Sequence, residues 1–229
     1  MADKNTTFKL SPSDFAYLWQ DCKFCYYQKV KFGISHSGVF PAMFGRINSL
    51  LQNSIMGMNL KDIHPDLPSG IIEIQEGFMK SQPVNGTNCY ISGRFDILSK
   101  LEDGTNAIID FKITTPVEEK IQKYASQLQA YKFALENPER GGKPLKITKM
   151  GVVSINPEEM KLTNGKVVFT NKPTWHPVED DEASFYEMIK EISTVLNGDL
   201  PAPSETCNLC VYRAKFAFPA AENAEELPF

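Results

Sequence analysis

The chain has 229 residues, 42% of them hydrophobic, and a net charge of −4. That is enough apolar material for one sizeable core, and with no linker in view a single domain over residues 1–229 is expected. The mild negative charge excludes a global basic field for nucleic acid, so any polyanion site must be local, and no apolar run approaches the roughly 18 residues of a membrane span.

The opening "MADKNTTFKL" has no basic region followed by an apolar stretch, so no secretory signal is expected, and a soluble, cytoplasmic setting without a membrane partner follows. A helix is predicted from Ser11 or Ser13 to a stop at Gly33, with Pro12 near its first turn. A second should cover Ala42 to Met58. "HPDLPSG" reads as a loop, and "IIEIQEGFMK" as a strand. "NCYISGRFDILSKLEDGTNAIIDFKI" reads as two strands joined at Glu102-Asp103-Gly104. A long helix over Glu118–Asn137 is followed by the breaker "GGKP", the strand "KITKMGVVSI" and the Asn-Gly hairpin "LTNGKVVF". Asp180–Leu196 should be the last helix, ended by Asn197-Gly198, before a frayed acidic tail, "AAENAEELPF". This order predicts a mixed α/β domain with a central sheet, not a run of alternating βαβ units.

Within "AIIDFKITT", Asp110 and Lys112 share one strand face, beside Ile108, while Ile109 and Phe111 fill the other. Asp96, in "GRFDIL", is a second acid in a strand-like setting. A two-residue turn at Asp103-Gly104 would pair positions whose numbers sum to 207 and put Asp96 on the wrong face. A three-residue loop, Glu102-Asp103-Gly104, pairs positions summing to 206 and sets Asp96 opposite Asp110. Glu-Asp-Gly suits that loop, a type I turn followed by a glycine at positive φ. Carboxylates facing each other at about 5 Å between Cβ atoms repel unless a cation lies between them. A hard ion such as Mg2+ or Mn2+ suits them, since it takes oxygen ligands and leaves places for water and phosphate. Lys112 could then stabilise charge developing on a phosphate oxygen. The plain alternative is two solvated acids and a surface ion pair.

The helix after this strand carries the apolar stripe Ile121, Tyr124, Leu128, Tyr131, Leu135. Gln127 borders it, one turn from Tyr131, and both could reach a phosphate or a metal-bound water. Together, "GRFDIL…IIDFK…QLQAY" resembles the PD-(D/E)XK nuclease superfamily, in its RecB-like exonuclease branch, with a Gly-x-x-Asp strand, an Asp-x-Lys strand and a Gln-x-x-x-Tyr helix in this order. The resemblance implies a restriction-endonuclease-like core, with a central mixed sheet flanked by helices. It implies a metal site of Asp96, Asp110 and the Phe111 carbonyl, with Lys112 as catalytic lysine and Gln127 and Tyr131 as a further motif. The implied activity is Mg2+- or Mn2+-dependent hydrolysis of DNA, single-stranded or with free ends. The implied partner proteins are those of DNA repair, recombination, phage replication or CRISPR adaptation. One departure stands out: "FGRINSLL" puts Asn48 where many members carry a metal-binding histidine, and His36 and His64 lie elsewhere and read as surface residues.

Cys22 and Cys25 form one C-x2-C, Cys207 and Cys210 another, at opposite ends of the chain, while Cys89 reads as an inert buried thiol. Four thiolates around one centre, either tetrahedral zinc or an iron–sulfur cluster, would join the chain ends and contribute directly to folding. Several RecB-like nucleases, including small CRISPR-associated ones, hold such clusters between their chain ends. The resemblance therefore implies iron–sulfur, 4Fe-4S ahead of zinc, although the commoner arrangement is one cysteine upstream and three downstream. Lys23, Lys29, Lys31, Arg213 and Lys215 flank the two pairs and would make one DNA-facing patch if the cysteines meet. The competing readings are a catalytically weakened nucleic-acid-binding module and a zinc-stabilised interaction scaffold.

Overall fold

The computed structural model describes residues 6–35, 42–115 and 118–216. His36 and the acidic tail lie outside them. A six-stranded mixed sheet forms the centre. β1 (Phe8–Leu10) runs parallel to the start of β3 (Cys89–Leu101), and β2 (Gly70–Pro83) lies antiparallel along most of β3. β3 pairs antiparallel with β4 (Asn106–Ile113), β4 parallel with β5 (Ile147–Ile155), and β5 antiparallel with β8 (Thr174–Pro177). Two short strands, β1 and β8, and a C-terminal helix, α7 (Asn208–Phe216), add to the elements expected from sequence.

The alternation along β3, β4 and β5 sends their apolar residues to two cores. Leu98, Ile108 and Val152 pack on one face under α5 (Ala125–Glu136) and α6 (Glu182–Asn197). Ile97, Ile109, Phe111 and Val153 pack on the other, against α3 (Ala42–Ile55) and Leu60 and Leu67. A sheet buried on both faces cannot slip by one residue without exchanging two cores, which pins the β3–β4 register.

That register is the three-residue-loop one. Ile97–Ile109, Leu98–Ile108, Ser99–Ala107 and Lys100–Asn106 all sum to 206. Leu101 N–H donates to Thr105 C=O at 3.0 Å, and Gly104 sits at φ +81, a conformation L side chains rarely adopt.

Two predicted helices are broken. The first is a short α1 (Pro12–Asp14), a π-helical turn over Phe15–Trp19, and α2 (Lys23–Phe32), ending at Gly33 with φ +67. Cys22 interrupts it with extended backbone, its thiol accepting the Cys25 N–H as an N-cap. The wide turn buries Phe15, Ala16 and Trp19 and turns Tyr17 outward. The other break separates α4 (Glu118–Lys123) from α5 at Tyr124, where the Tyr124 N–H bonds Ile121 C=O three residues back. The Tyr124 ring is held there by an edge contact with Tyr17, 5.8 Å between centroids, and by the Lys112 ammonium 5.0 Å above it. α3 stops three residues short of the expected Met58, and α6 begins at Glu182 on an Asp181 cap. β6 (Glu159–Thr163) and β7 (Lys166–Thr170) form the expected hairpin, with Asn164 and Gly165 both at positive φ. No helix among the described residues is long and apolar enough to cross a membrane.

Candidate functional site

The β3–β4 ladder ends at Ile97–Ile109, one step before the acids. A continued ladder would direct Phe111 N–H to Phe95. Instead it donates to Asp96 Oδ2 at 3.0 Å, so the carboxylate takes the place of a ladder carbonyl and the two strands part around it. Asp110, the next position in register, is 1% exposed. Its Oδ2 pairs with the Lys112 ammonium, and its Oδ1 accepts from Gln127 Nε2 at 3.3 Å. Gln127 Nε2 also donates to Tyr131 Oη. Gln127 and Tyr131 are themselves buried, at 3% each, so they meet Asp110 from behind and do not face the open cleft.

Electrostatically the site is an acid pair with one cation. Burial, then the Asp110 charge, pushes the Asp96 carboxyl up to about 7. Asp110 is also raised by burial, opposed by the Lys112 charge. Burial works against the Lys112 ammonium, but the charges of Asp110 and Asp96 outweigh it and hold its pKa above the usual lysine value. A buried carboxyl, a half-buried one and a single lysine leave one acid uncompensated, a deficit that a divalent cation corrects. In front of them opens a cleft of about 380 Å³, walled by Tyr17, Asn48, Asp96, Phe111, Lys112 and Tyr124 among others. Asn48 Oδ1 is buried there without a hydrogen-bond partner. An orphaned oxygen beside a carboxylate and a main-chain segment makes an oxygen donor set that fits a hard divalent ion.

A family model described as the PD-(D/E)XK nuclease superfamily matches residues 51–214, well over half of the chain. The chain belongs to the PD-(D/E)XK nuclease superfamily. Nucleases of this superfamily use divalent metals and act on nucleic acid. None of the curated proteins matches the chain. Among solved structures, the crystal structure of SSO0001 is similar over 88% of this chain and 81% of that one, at 17% identity and a TM-score of 0.49. That likeness is too loose to add to the assignment.

This PD-(D/E)XK nuclease carries a second centre. Cys22, Cys25, Cys207 and Cys210 bring their sulfurs within 4.8 Å of one another and join the N-terminal and C-terminal regions. The Sγ–Sγ distances are 3.6 Å for Cys22–Cys210 and Cys25–Cys210 and 3.9 Å for Cys25–Cys207. A tetrahedral ion with bonds of about 2.3 Å to sulfur needs ligand separations of about 3.8 Å, so the four thiols could hold a single metal ion. Cys89 is fully buried, away from the four, and burial pushes its thiol up to about 11.

The predicted basic patch is partly neutralised. Lys23 pairs with Glu191, Lys29 with Asp14 at 2.5 Å, and Lys31 donates to Tyr27 Oη at 2.9 Å. Arg213 and Lys215, on the last turn of α7, have no ionic partner among the described residues. His64 stands apart from the acids, its Nδ1 accepting from Asp66 N–H at 3.2 Å.

Sequence reasoning missed Glu76. The β2–β3 pairs on either side of it, Gln75–Ile97 and Gly77–Phe95, place Glu76 opposite Asp96, but the ladder skips this pair. Glu76 has φ +46, its carbonyl accepts from Arg94 at 3.1 Å, and its charge adds to the upward push on Asp96. The Glu-Gly step inside the strand-like run "IIEIQEGFMK" was the available signal for that irregularity.

Proposed function

We propose that this protein is a Mg2+- or Mn2+-dependent deoxyribonuclease of the RecB-like branch, a single domain over residues 1–229 that hydrolyses single-stranded DNA from free ends. The observation that carries the reading is the parting of β3 and β4 around Asp96, with Asp96 and Lys112 on the wall of an open cleft and Asp110 buried behind them, paired with Lys112. Asp96, Asp110 and the Phe111 carbonyl would hold the divalent ion, with Asn48 Oδ1 in reach of the same cleft. When bound, such an ion supplies Lewis acidity and an activated water for attack at phosphorus. Lys112 supplies a cation aimed into the cleft that can stabilise charge on a phosphate oxygen. Tyr124 holds that ammonium by its ring, and Gln127, backed by Tyr131, fixes the Asp110 carboxylate from behind.

For the cysteine centre, four thiols within 4.8 Å of one another supply ligands for the 4Fe-4S cluster that the resemblance implies, with a single tetrahedral zinc ion as the alternative. In either form it ties the chain ends beside the nuclease core.

The test is cleavage of end-labelled single-stranded, duplex and circular DNA with Mg2+, Mn2+ or chelator, by wild type, Asp110→Ala and Lys112→Ala. Metal-dependent loss of the linear single strand, abolished in both variants, is expected. Full activity in either variant overturns the assignment. Metal-independent binding without cleavage would point instead to a weakened binding module, the reading that Asn48 in place of histidine favours.

A further inference from the structure

Tyr17 belongs to two clefts at once. It walls the acid cleft with Asp96 and Lys112, and it walls a second cleft of about 270 Å³ with Lys29, Arg213, Cys25 and Cys207. Resting on the nuclease reading, we propose that these clefts form one track for a single nucleic-acid strand. Tyr17 stacks a base beside the scissile site, and Arg213 takes a backbone phosphate next to the cysteine centre.

Four observations lead there. Tyr17 is 54% exposed although it lies in a turn whose neighbours Phe15, Ala16 and Trp19 are buried. The wider π-helical turn aims it out, and such turns recur at functional positions. The ring is not loose: its hydroxyl donates to Tyr124 Oη at 2.9 Å, and its plane meets the Tyr124 ring edge-on at 65°. A fixed aromatic face open to a cleft is a stacking platform that tolerates any base. Beyond it, Lys29 pairs with Asp14, which leaves Arg213, exposed and without an ionic partner among the described residues, as the cation in the second cleft that can take a phosphate, while Leu18, Ile34 and Leu209 offer apolar wall to a sugar or base. At about 380 and 270 Å³, the two clefts are on the scale of a single nucleotide each. Inside a duplex, moreover, both faces of each base are already stacked and none is free for Tyr17.

The experiment is fluorescence anisotropy of a labelled oligothymidylate, with chelator present so that nothing is cut, against wild type, Tyr17→Ala, Tyr17→Phe, Tyr17→Trp and Arg213→Ala. Loss of one stacked base should weaken binding by roughly 5–150-fold in Tyr17→Ala. Tyr17→Phe and Tyr17→Trp keep a ring and should stay within about threefold of wild type, the scatter of a changed but retained stack. Arg213→Ala should lower the slope of log affinity against log salt by about 0.7, one single-strand phosphate contact. Wild-type affinity in Tyr17→Ala overturns the proposal, as does a loss in Tyr17→Phe as large as in Tyr17→Ala, which would make the hydroxyl's bond to Tyr124 the cause. If Tyr17→Ala does not fold, the ring-retaining variants and the Arg213→Ala slope decide. A wild-type protein that neither binds nor cuts DNA sinks the nuclease reading itself, whereas one that cuts with Tyr17→Ala unimpaired sinks the track alone.

Discussion

Gln127 on α5 and Asp110 on β4 meet through a single hydrogen bond, Nε2 to Oδ1 at 3.3 Å, inside a region closed to solvent. Seventeen positions separate them, and the crossover through α4 folds the helix back over its own strand. Gln127→Ala would leave Asp110 Oδ1 buried with no donor. Losses at residues that orient a metal ligand typically run to 10–100-fold in affinity or activity, so about that drop in Mn2+ affinity is expected by calorimetry. Unchanged affinity would show that Asp110 needs no support from α5.

Asn48 makes a sharper claim about metal choice. Its orphaned Oδ1 shares the cleft wall with Asp96 and Phe111. Asn48→His exchanges a hard oxygen for a nitrogen donor, which should strengthen Mn2+ relative to Mg2+ by about tenfold, following ligand softness and the order of divalent affinities. The measurement is the ratio of the two dissociation constants in each variant. An unaltered ratio would place residue 48 outside the metal's reach.

The acid pair predicts how stability depends on pH. Asp96 is raised to about 7 in the folded protein, mainly by burial and then by Asp110. The unfolded chain releases that proton near 4, so between about 4 and about 7 the folded state binds more protons than the unfolded one. Stability of the metal-free protein should therefore fall as pH rises through that window, and Asp110, raised as well, pushes the same way. Adding Mn2+ should reverse the slope, since the ion binds the ionised carboxylates. Scanning calorimetry in chelator from pH 5 to 7.5 tests this: Asp96→Asn should flatten the decline, and an identical decline in both proteins would exclude Asp96 as its source.

The cysteines should fail together. Cys25→Ser and Cys207→Ser lie 182 positions apart, yet each removes one ligand of a shared centre. Both should lose bound metal, and the combined variant should be no worse than either, because the site is already disabled. A cross-link closing a loop of this length is worth roughly 3–5 kcal/mol, or some 6–20 °C of melting temperature for a chain of this size. Cys89→Ser should keep its metal and show a packing cost at most. Analysis of zinc, iron and sulfide separates a single ion from an iron–sulfur cluster. Metal retained in Cys207→Ser but lost in Cys25→Ser would break the shared centre.

Local chemistry carried much of this. The fit of Glu102-Asp103-Gly104 to a three-residue loop and the two-residue alternation of "GRFDIL" and "AIIDFK" were enough to favour the register summing to 206, which the ladder keeps as far as Ile97–Ile109, one step short of Asp96 and Asp110. The helix stop at Gly33 and the Asn164-Gly165 turn were legible for the same reason. Spacing alone also marked the two C-x2-C pairs as ligands in search of a centre.

What only the tertiary structure decided depends on contacts between segments far apart in the chain. Helical periodicity could not foresee that Cys22 would cap α2, nor that Tyr124 would be held between Tyr17 and Lys112 and end α4. The pairing of Lys23 and Lys29 with Glu191 and Asp14, which thins the basic patch, is likewise invisible to charge counting along the sequence. Most of all, four thiols within 4.8 Å and a tyrosine shared by two clefts exist only once both chain ends pack on one sheet. Residue type sets which chemistry each side chain can do, while burial and long-range packing select the partners with which it does it.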